Sequence, residues 1–368
     1  MSPRMTRIAL GVAAPVLALV AAFAITSAVL LIAGDPAGEV WATILSVPEP
    51  RNMVNIVNSA TVLYLSGLAV AVGFRMNLFN IGVDGQYRIA AFAAAVVAGE
   101  AWLPGPLNIA LAILAAVLVG AAWAGIAGVL RATRGVSEVI STIMLNFIST
   151  SIVAYFLRQV AVREEGSNII GTKPIPESSQ IPGISVSEAV TTDVYGFVFI
   201  AALAGVAYWV VLNRTRFGFD LRATGHSQTA AVASGVNVKR MTITAMLVSG
   251  GVAGLVGLPI LFGSAYSYGS TFQSGLGFAG IAIALLGRNH PVGIALGALL
   301  FAFLDEQSNP LQILVDVSPD IVKITQGIIV LTVVISYEVV RRYGQRLEQR
   351  QVAQALERGT GEKSEVAA

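Results

Sequence analysis

The chain alternates long apolar runs with short polar joints. Ten apolar segments follow one another: Ile8–Ala33, Val54–Phe74, Leu78–Gly99, Leu107–Leu130, Val136–Leu157, Tyr195–Leu212, Thr242–Gly263, Leu276–Gly287, Pro291–Leu304 and Ile321–Val340. A straight helical crossing of a bilayer takes about 20 residues, and most of these runs supply that length. Leu276–Gly287 and Pro291–Leu304 hold only 12 and 14 residues, so they are expected to be broken, re-entrant or extended by polar flanks. The pattern predicts an all-α integral membrane protein of about ten transmembrane segments. With all ten counted as crossings, both termini lie on one side.

One joint breaks the pattern. Arg75 to Arg88 reads R-M-N-L-F-N-I-G-V-D-G-Q-Y-R and sits between membrane-length apolar runs. Backbone groups in such a run find no water in lipid, so it persists only where protein buries it or where it lines a watery cavity. Ionisable residues at that depth mark functional sites. The competing reading is a cytoplasmic turn built from Asn and Gly.

Composition agrees with a membrane protein: 55% hydrophobic, 12% charged and a mean hydropathy of +0.75, against about a quarter charged in soluble domains. The absence of cysteine excludes disulfides, thiolate metal sites and cysteine nucleophiles. His226 and His290 are too scattered for a zinc site, and neither a metal nor a cofactor is expected. No catalytic cluster and no G-x-x-x-x-G-K-[ST] run occurs, so any ATP is hydrolysed on another chain. No nucleic-acid partner is expected. The G-x-G-x-x-G of Gly275–Gly280 lacks the strand and the following acid that dinucleotide binding requires.

Charge orients the segments. With the amino terminus inside and strict alternation, 17 of the 23 basic residues fall inside, among them Arg4, Arg7, Arg75, Arg131, Arg134, Arg214, Lys239, Arg240 and Arg288. The other side receives mostly acids, including Asp35, Glu39, Glu49, Glu164, Glu165, Glu177, Glu188, Asp193, Asp305 and Glu306. This positive-inside pattern places both termini in the cytoplasm. It also puts the long polar loop Gln159–Thr192 outside and the basic loop Asn213–Met241 inside. Within the inner loop, Ser227–Ser234 suits a short helix begun by a serine cap. The membrane domain is residues 1–340; the charged tail, residues 341–368, is read as a helical extension that frays.

Smaller signals complete the pattern. Gly250-x-x-x-Gly254 and Gly293-x-x-x-Gly297 allow close helix approach. Phe79-x-x-Gly82 recurs 193 residues later as Phe272-x-x-Gly275, a weak echo that fits two related halves. At helical spacing Glu138, Thr142, Asn146 and Ser149 or Thr150 form a polar stripe on an apolar helix. For Asn146 the stripe leaves helix packing and a transport pathway equally open, whereas Glu138 reads as structural.

Four stretches resemble one family. F-N-I-G-V-D-G-Q is similar to the N-I-G-V-E-G-Q signature of bacterial ABC-importer permeases of the simple-sugar and nucleoside type. V-S-E-V-I-S-T-I-M-L-N, G-F-D-L-R-A-T-G-H-S-Q-T-A-A-V-A-S-G-V and G-L-G-F-A-G-I-A-I-A-L-L-G-R-N-H-P resemble its other conserved segments. The resemblance covers roughly Val54 to Pro310. Asp84 stands where the family usually has glutamate, and His226-Ser227-Gln228 replaces the commoner E-N-P.

The resemblance implies a non-enzymatic permease subunit in the bacterial cytoplasmic (inner) membrane. Its partners would be a second permease subunit, taken to be a different chain, an ATP-binding cassette subunit inside and a substrate-binding (lipo)protein outside. Nucleosides or simple sugars are the implied cargo, with ribose-type and branched-chain amino-acid permeases as alternatives. From another class, an ion-coupled secondary transporter would use Asp84 or Glu138. The pathway candidates are Asn77, Asn80, Asp84, Gln86 and Asn146; the amides of the asparagines and Gln86 can replace a solute's water, and Asp84 is expected to hold the broken backbone. Asp84 is expected to pair with Arg75 or Arg88. Gly225, Ala230, Ala231 and Gly235 are the expected contacts with the ATPase.

Overall fold

The computed structural model describes residues 3–163, 170–186 and 190–365. Glu164, Glu165 and Glu188, assigned above to the external side, lie outside the described residues. In chain order the helices are α1 (Pro3–Ala33), α2 (Ala37–Ile44), α3 (Pro50–Phe74), α4 (Val83–Glu100), α5 (Gly105–Arg134) and α6 (Glu138–Val160). Two short antiparallel strands follow, β1 (Val162–Arg163) and β2 (Ile170–Gly171), with Val162 opposite Gly171. Next come α7 (Phe197–Arg214), α8 (Arg216–His226), α9 (Gln228–Ala233), α10 (Val238–Gly254) and α11 (Leu258–Ile260), which runs into a π-turn at Leu261–Ala265. The chain ends with α12 (Leu276–Leu286), α13 (Pro291–Ser308), α14 (Leu311–Leu314) and α15 (Asp320–Glu365).

The chain divides into two compact units, Met1–Leu45 with Ser308–Ala368, and Ser46–Gln307. In the first, α1 lies along α15. Trp41 of α2 packs with its ring tilted 32° to that of Phe23, centroids 4.7 Å apart, and donates to Ser27 Oγ at 2.9 Å. The tail stays helical to Glu365 rather than fraying where the charges begin.

The second unit is built around α3 and α10. In the 18-residue apolar stretch of α3, 83% of the residues are buried, and 72% in that of α10 through the π-turn, against 28% for α5, α6 and α7. A helix apolar on every side has no preference of its own for core over lipid, so close packing decides. On α10, Gly250 and Gly254 rest on the backbone of α5 at Gly120 and Ala116, and a side chain at either glycine would collide with a carbonyl.

Helices occupy all ten places marked by the hydrophobic pattern, but among the described residues seven are long and apolar enough to cross a membrane. The shortfall has local causes. Helix α4 carries Asp84, Arg88 and Glu100, α12 has only 11 residues, and α13 ends in Asp305-Glu306-Gln307.

Candidate functional site

The polar run lies at a break between two helices. Helix α3 stops at Phe74 and α4 begins at Val83. Between them Met76 N and Leu78 N both return to Gly73 O, at 2.9 and 3.0 Å, and Asn77 takes the left-handed conformation with φ 56°. Gly82 precedes α4 and offers no side chain to cap it, so the first amides of the helix need partners from elsewhere.

Asn80 provides one. Its Oδ1 accepts from Gly82 N at 3.1 Å and from Gln86 Nε2 at 2.8 Å. Its Nδ2 donates to Gln86 Oε1 at 2.9 Å and to Ser249 Oγ at 2.8 Å. Ser249 passes the chain on to Ala69 O at 2.7 Å. Two amides thus meet face to face across the break, at 0% and 1% exposure, and Asn80 has used both hydrogens and both acceptor positions. In this conformation the pair holds the broken backbone and presents no free edge to a solute.

Asn146 secures the same turn from α6. Its Oδ1 accepts from Gly85 N and its Nδ2 donates to Ile81 O, both at 2.9 Å. The polar stripe of α6 therefore faces α4. Thr142 and Ser149 are buried beside Asn146, and Arg88 Nη1 donates to Thr150 Oγ1 at 3.0 Å. Glu138, at the foot of the stripe, pairs with Arg131 Nε of α5 at 3.2 Å, which fits its structural reading.

Asp84 departs from expectation. Among the described residues no ion pair joins it to Arg75 or Arg88. Its Oδ1 accepts instead from Gly275 N at 2.8 Å and Gly277 N at 3.3 Å. Those amides open α12, where free N–H groups and the helix dipole both favour a carboxylate. Gly277 lies so close to the Asp84 backbone that any side chain there would overlap it. One turn further along α4, Tyr87 donates to Gln273 O at 2.8 Å. The first turns of α4 and α12 therefore abut, each directly preceded by one copy of the Phe-x-x-Gly echo.

Arg75 points the other way. Its Nη2 donates to Asn289 O at 2.8 Å, and Tyr208 Oη donates to the same carbonyl at 2.8 Å. Asn77 also faces away from Asn80, donating to Gly225 O at 2.6 Å. A Cβ on Gly225 would lie 2.6 Å from Arg75 O. The end of α8 thus rests directly on the Arg75–Asn77 turn. The serine-capped helix is α9, with Ser227 Oγ accepting from Ala230 N at 3.3 Å. On it Ala231 is 2% exposed and turned onto its own chain, whereas Ala230 faces outward and Val232 is 61% exposed. Gly235, φ 83°, turns the chain toward α10.

The structure thus sets Asn80, Asp84, Gln86 and Asn146 around the start of α4, in separate hydrogen-bonded contacts, and sets Asn77 against the loop Asn213–Met241. Three residues that brace the break and its neighbours had no sequence signal strong enough to find them. Ser66, which donates to Leu276 O at 2.7 Å, and Ser249 are lone serines in apolar runs, and Tyr208 looks like any aromatic near a helix end. Among the described residues there is no cluster of His, Cys, Asp or Glu able to hold a metal ion.

Comparison with known proteins identifies the family. The guanosine ABC transporter permease protein NupP of Bacillus subtilis is 33% identical over 88% of this chain and 93% of its own. The glucose ABC transporter permease protein TsgB13 of Haloferax volcanii is 32% identical over 89% and 88%. The nucleoside ABC transporter permease protein NupB of Lactococcus lactis is 29% identical over 88% and 90%. The family model described as branched-chain amino acid transport system / permease component matches residues 52–334. The chain belongs to that family of ABC transporter permease subunits, which act in transport and not as catalysts.

Proposed function

We propose that this permease moves nucleosides inward across the bacterial cytoplasmic membrane. In this reading an ATP-binding subunit sits on α8 and α9, a second permease chain completes the pathway, and an external binding protein delivers the cargo. Two relatives named for guanosine or nucleosides, matched along nearly their full length, support the cargo class. The observation that carries the mechanism is the seat of α8 on the Arg75–Asn77 turn, because it joins the inner loop to the break without an intermediate. A motion imposed on that loop reaches the Asn80–Gln86 pair through one turn of backbone.

All ten helices cross or enter the membrane in this proposal, with both termini in the cytoplasm. Element order supports two halves of five: α1, α3, α4, α5 and α6, then α7, α10 with its π-turn, α12, α13 and α15. An odd number per half makes the second half inverted relative to the first, as in many transporters. Asp84 and Gly277 occupy equivalent places in the two halves, 193 residues apart, and touch. Contact between equivalent places is what a two-fold axis passing between the halves would produce, and it supports this reading. The solute is taken to pass along the open rim of the break, where Phe79, Asn146, Arg88 and Thr150 retain exposed surface.

The test is uptake by the assembled transporter in proteoliposomes. Labelled guanosine should accumulate only with ATP inside and should be displaced by other nucleosides but not by glucose. A sugar cargo is the second reading, favoured by the glucose permease relative; glucose accumulation without competition by nucleosides would establish it.

A further inference from the structure

The inner loop grips one helix break, and the outer loop grips a second. The run before α12 is the counterpart of the run before α4. Phe79 and Gly82 match Phe272 and Gly275, and the gripped turn Arg75–Asn77 matches Tyr268–Ser270, all at the same spacing of 193 residues. On the inner side the grip is Gly225 and the Asn77 amide.

At the matching place on the other run lies the external loop. Thr172 N donates to Tyr268 O at 3.0 Å, and Tyr268 N donates back to Thr172 Oγ1 at 3.0 Å. Ile175 N donates to Tyr266 O at 2.7 Å, and Gly171 pairs with Gly269 in an antiparallel bridge. The centre of the contact is buried: Thr172, Ile175 and Tyr268 are each 2% exposed. The Tyr268 ring stacks at 4.6 Å on Phe272 and meets Phe92 of α4 edge-on at 5.7 Å. The same loop also holds the α4–α5 corner, through Lys173 of this segment to Glu100 at 2.9 Å and, further along, Asn108 Nδ2 to Ser179 Oγ at 3.2 Å.

Resting on the importer reading above, we propose that Gly171–Ile175 is an outer latch, the counterpart of the inner-loop contact. It holds the start of α12 until a protein docks on the external face, and its release lets α12 shift against Asp84. The alternative is a passive strut that only completes the fold. A strut would be needed for stability alone; a latch must open during each cycle.

The chain has no cysteine, so a lock can be introduced cleanly. Gly171 and Gly269 form a pair without hydrogen bonds between them, whose usual Cα spacing of about 4.5 Å lies within disulfide range. The double variant Gly171→Cys/Gly269→Cys is reconstituted with its ATP-binding subunit, its partner permease and the external binding protein, and disulfide formation is followed by thiol titration. Oxidation should cut guanosine uptake at least tenfold while hydrolysis without the binding protein continues, and reductant should restore uptake. Undiminished uptake with the disulfide formed would overturn the latch. Because cysteines at two packed glycines can prevent folding, Thr172→Ala and Thr172→Ser provide a second arm. Thr172→Ala loses the bond to Tyr268 N and should raise hydrolysis without the binding protein and lower solute moved per ATP several-fold, with Thr172→Ser returning both toward the parent. Equal coupling in Ala, Ser and parent would likewise overturn it. If the unmodified transporter moves no solute with ATP, the importer reading fails and takes the latch with it.

Discussion

Asp84 shows how a charge with two arginines near it in sequence can choose neither. On α4, Arg88 lies one turn after it, the spacing at which opposite charges usually meet. Yet Gly275 N and Gly277 N draw the carboxylate toward α12, and Arg88 turns to Thr150. The partner type sets the outcome of substitution. Asparagine keeps an oxygen that those amides can reach, so Asp84→Asn should lower stability by no more than about 1 kcal/mol. Asp84→Ala leaves two amides without an acceptor and should cost about 1–3 kcal/mol. Thermal unfolding in detergent ranks the two; a loss in Asp84→Asn as large as in Asp84→Ala would show that the charge itself is required. The run Arg75–Arg88 was conspicuous in sequence because amides and glycines are rare between apolar segments. Its partners were not, since Ser249 and Gly275 lie more than 150 residues away and nothing local distinguishes them.

At the scale of elements, α9 was legible because serine caps and small helical residues leave a local signature. Its orientation was not legible, because six residues carry too little periodicity to say which side meets the protein. Ala231 is buried against its own chain, and Ala230 and Val232 point outward. An arginine at the outward positions should therefore spare the fold and disturb the partner contact. Val232→Arg is expected to insert and melt like the parent while uptake falls at least tenfold. Ala231→Arg, which forces a charge into a packed site, should instead reduce the amount of folded protein. The two are separated by comparing yield and melting temperature with uptake; normal uptake in Val232→Arg would move the ATPase contact off this face.

For the whole molecule, hydrophobic runs revealed the helices but not how many cross, because length and charge at α4, α12 and α13 fall short of an ordinary span. Orientation can be read with a membrane-impermeant maleimide on single-cysteine variants. Glu177 and Ser234 are both exposed and lie on the outer and inner loops, respectively. Glu177→Cys should react in intact cells, and Ser234→Cys only after the membrane is opened. The reverse pattern would invert the topology and exchange the roles of the two loops.

The contrast between the enclosed pair α3 and α10 and the outer helices also bears on how such a sequence can drift. A lipid-facing position accepts almost any apolar side chain, since acyl chains mould themselves to whatever shape is offered. Facing a neighbouring backbone, as Gly250 and Gly254 do, a position accepts almost none. Mutational load therefore falls unevenly, and α5, α6 and α7 can exchange leucine, valine and phenylalanine freely over their outer surfaces. Changes in α3 or α10 must be matched in their neighbours, so these two helices should diverge more slowly than the rest of the chain.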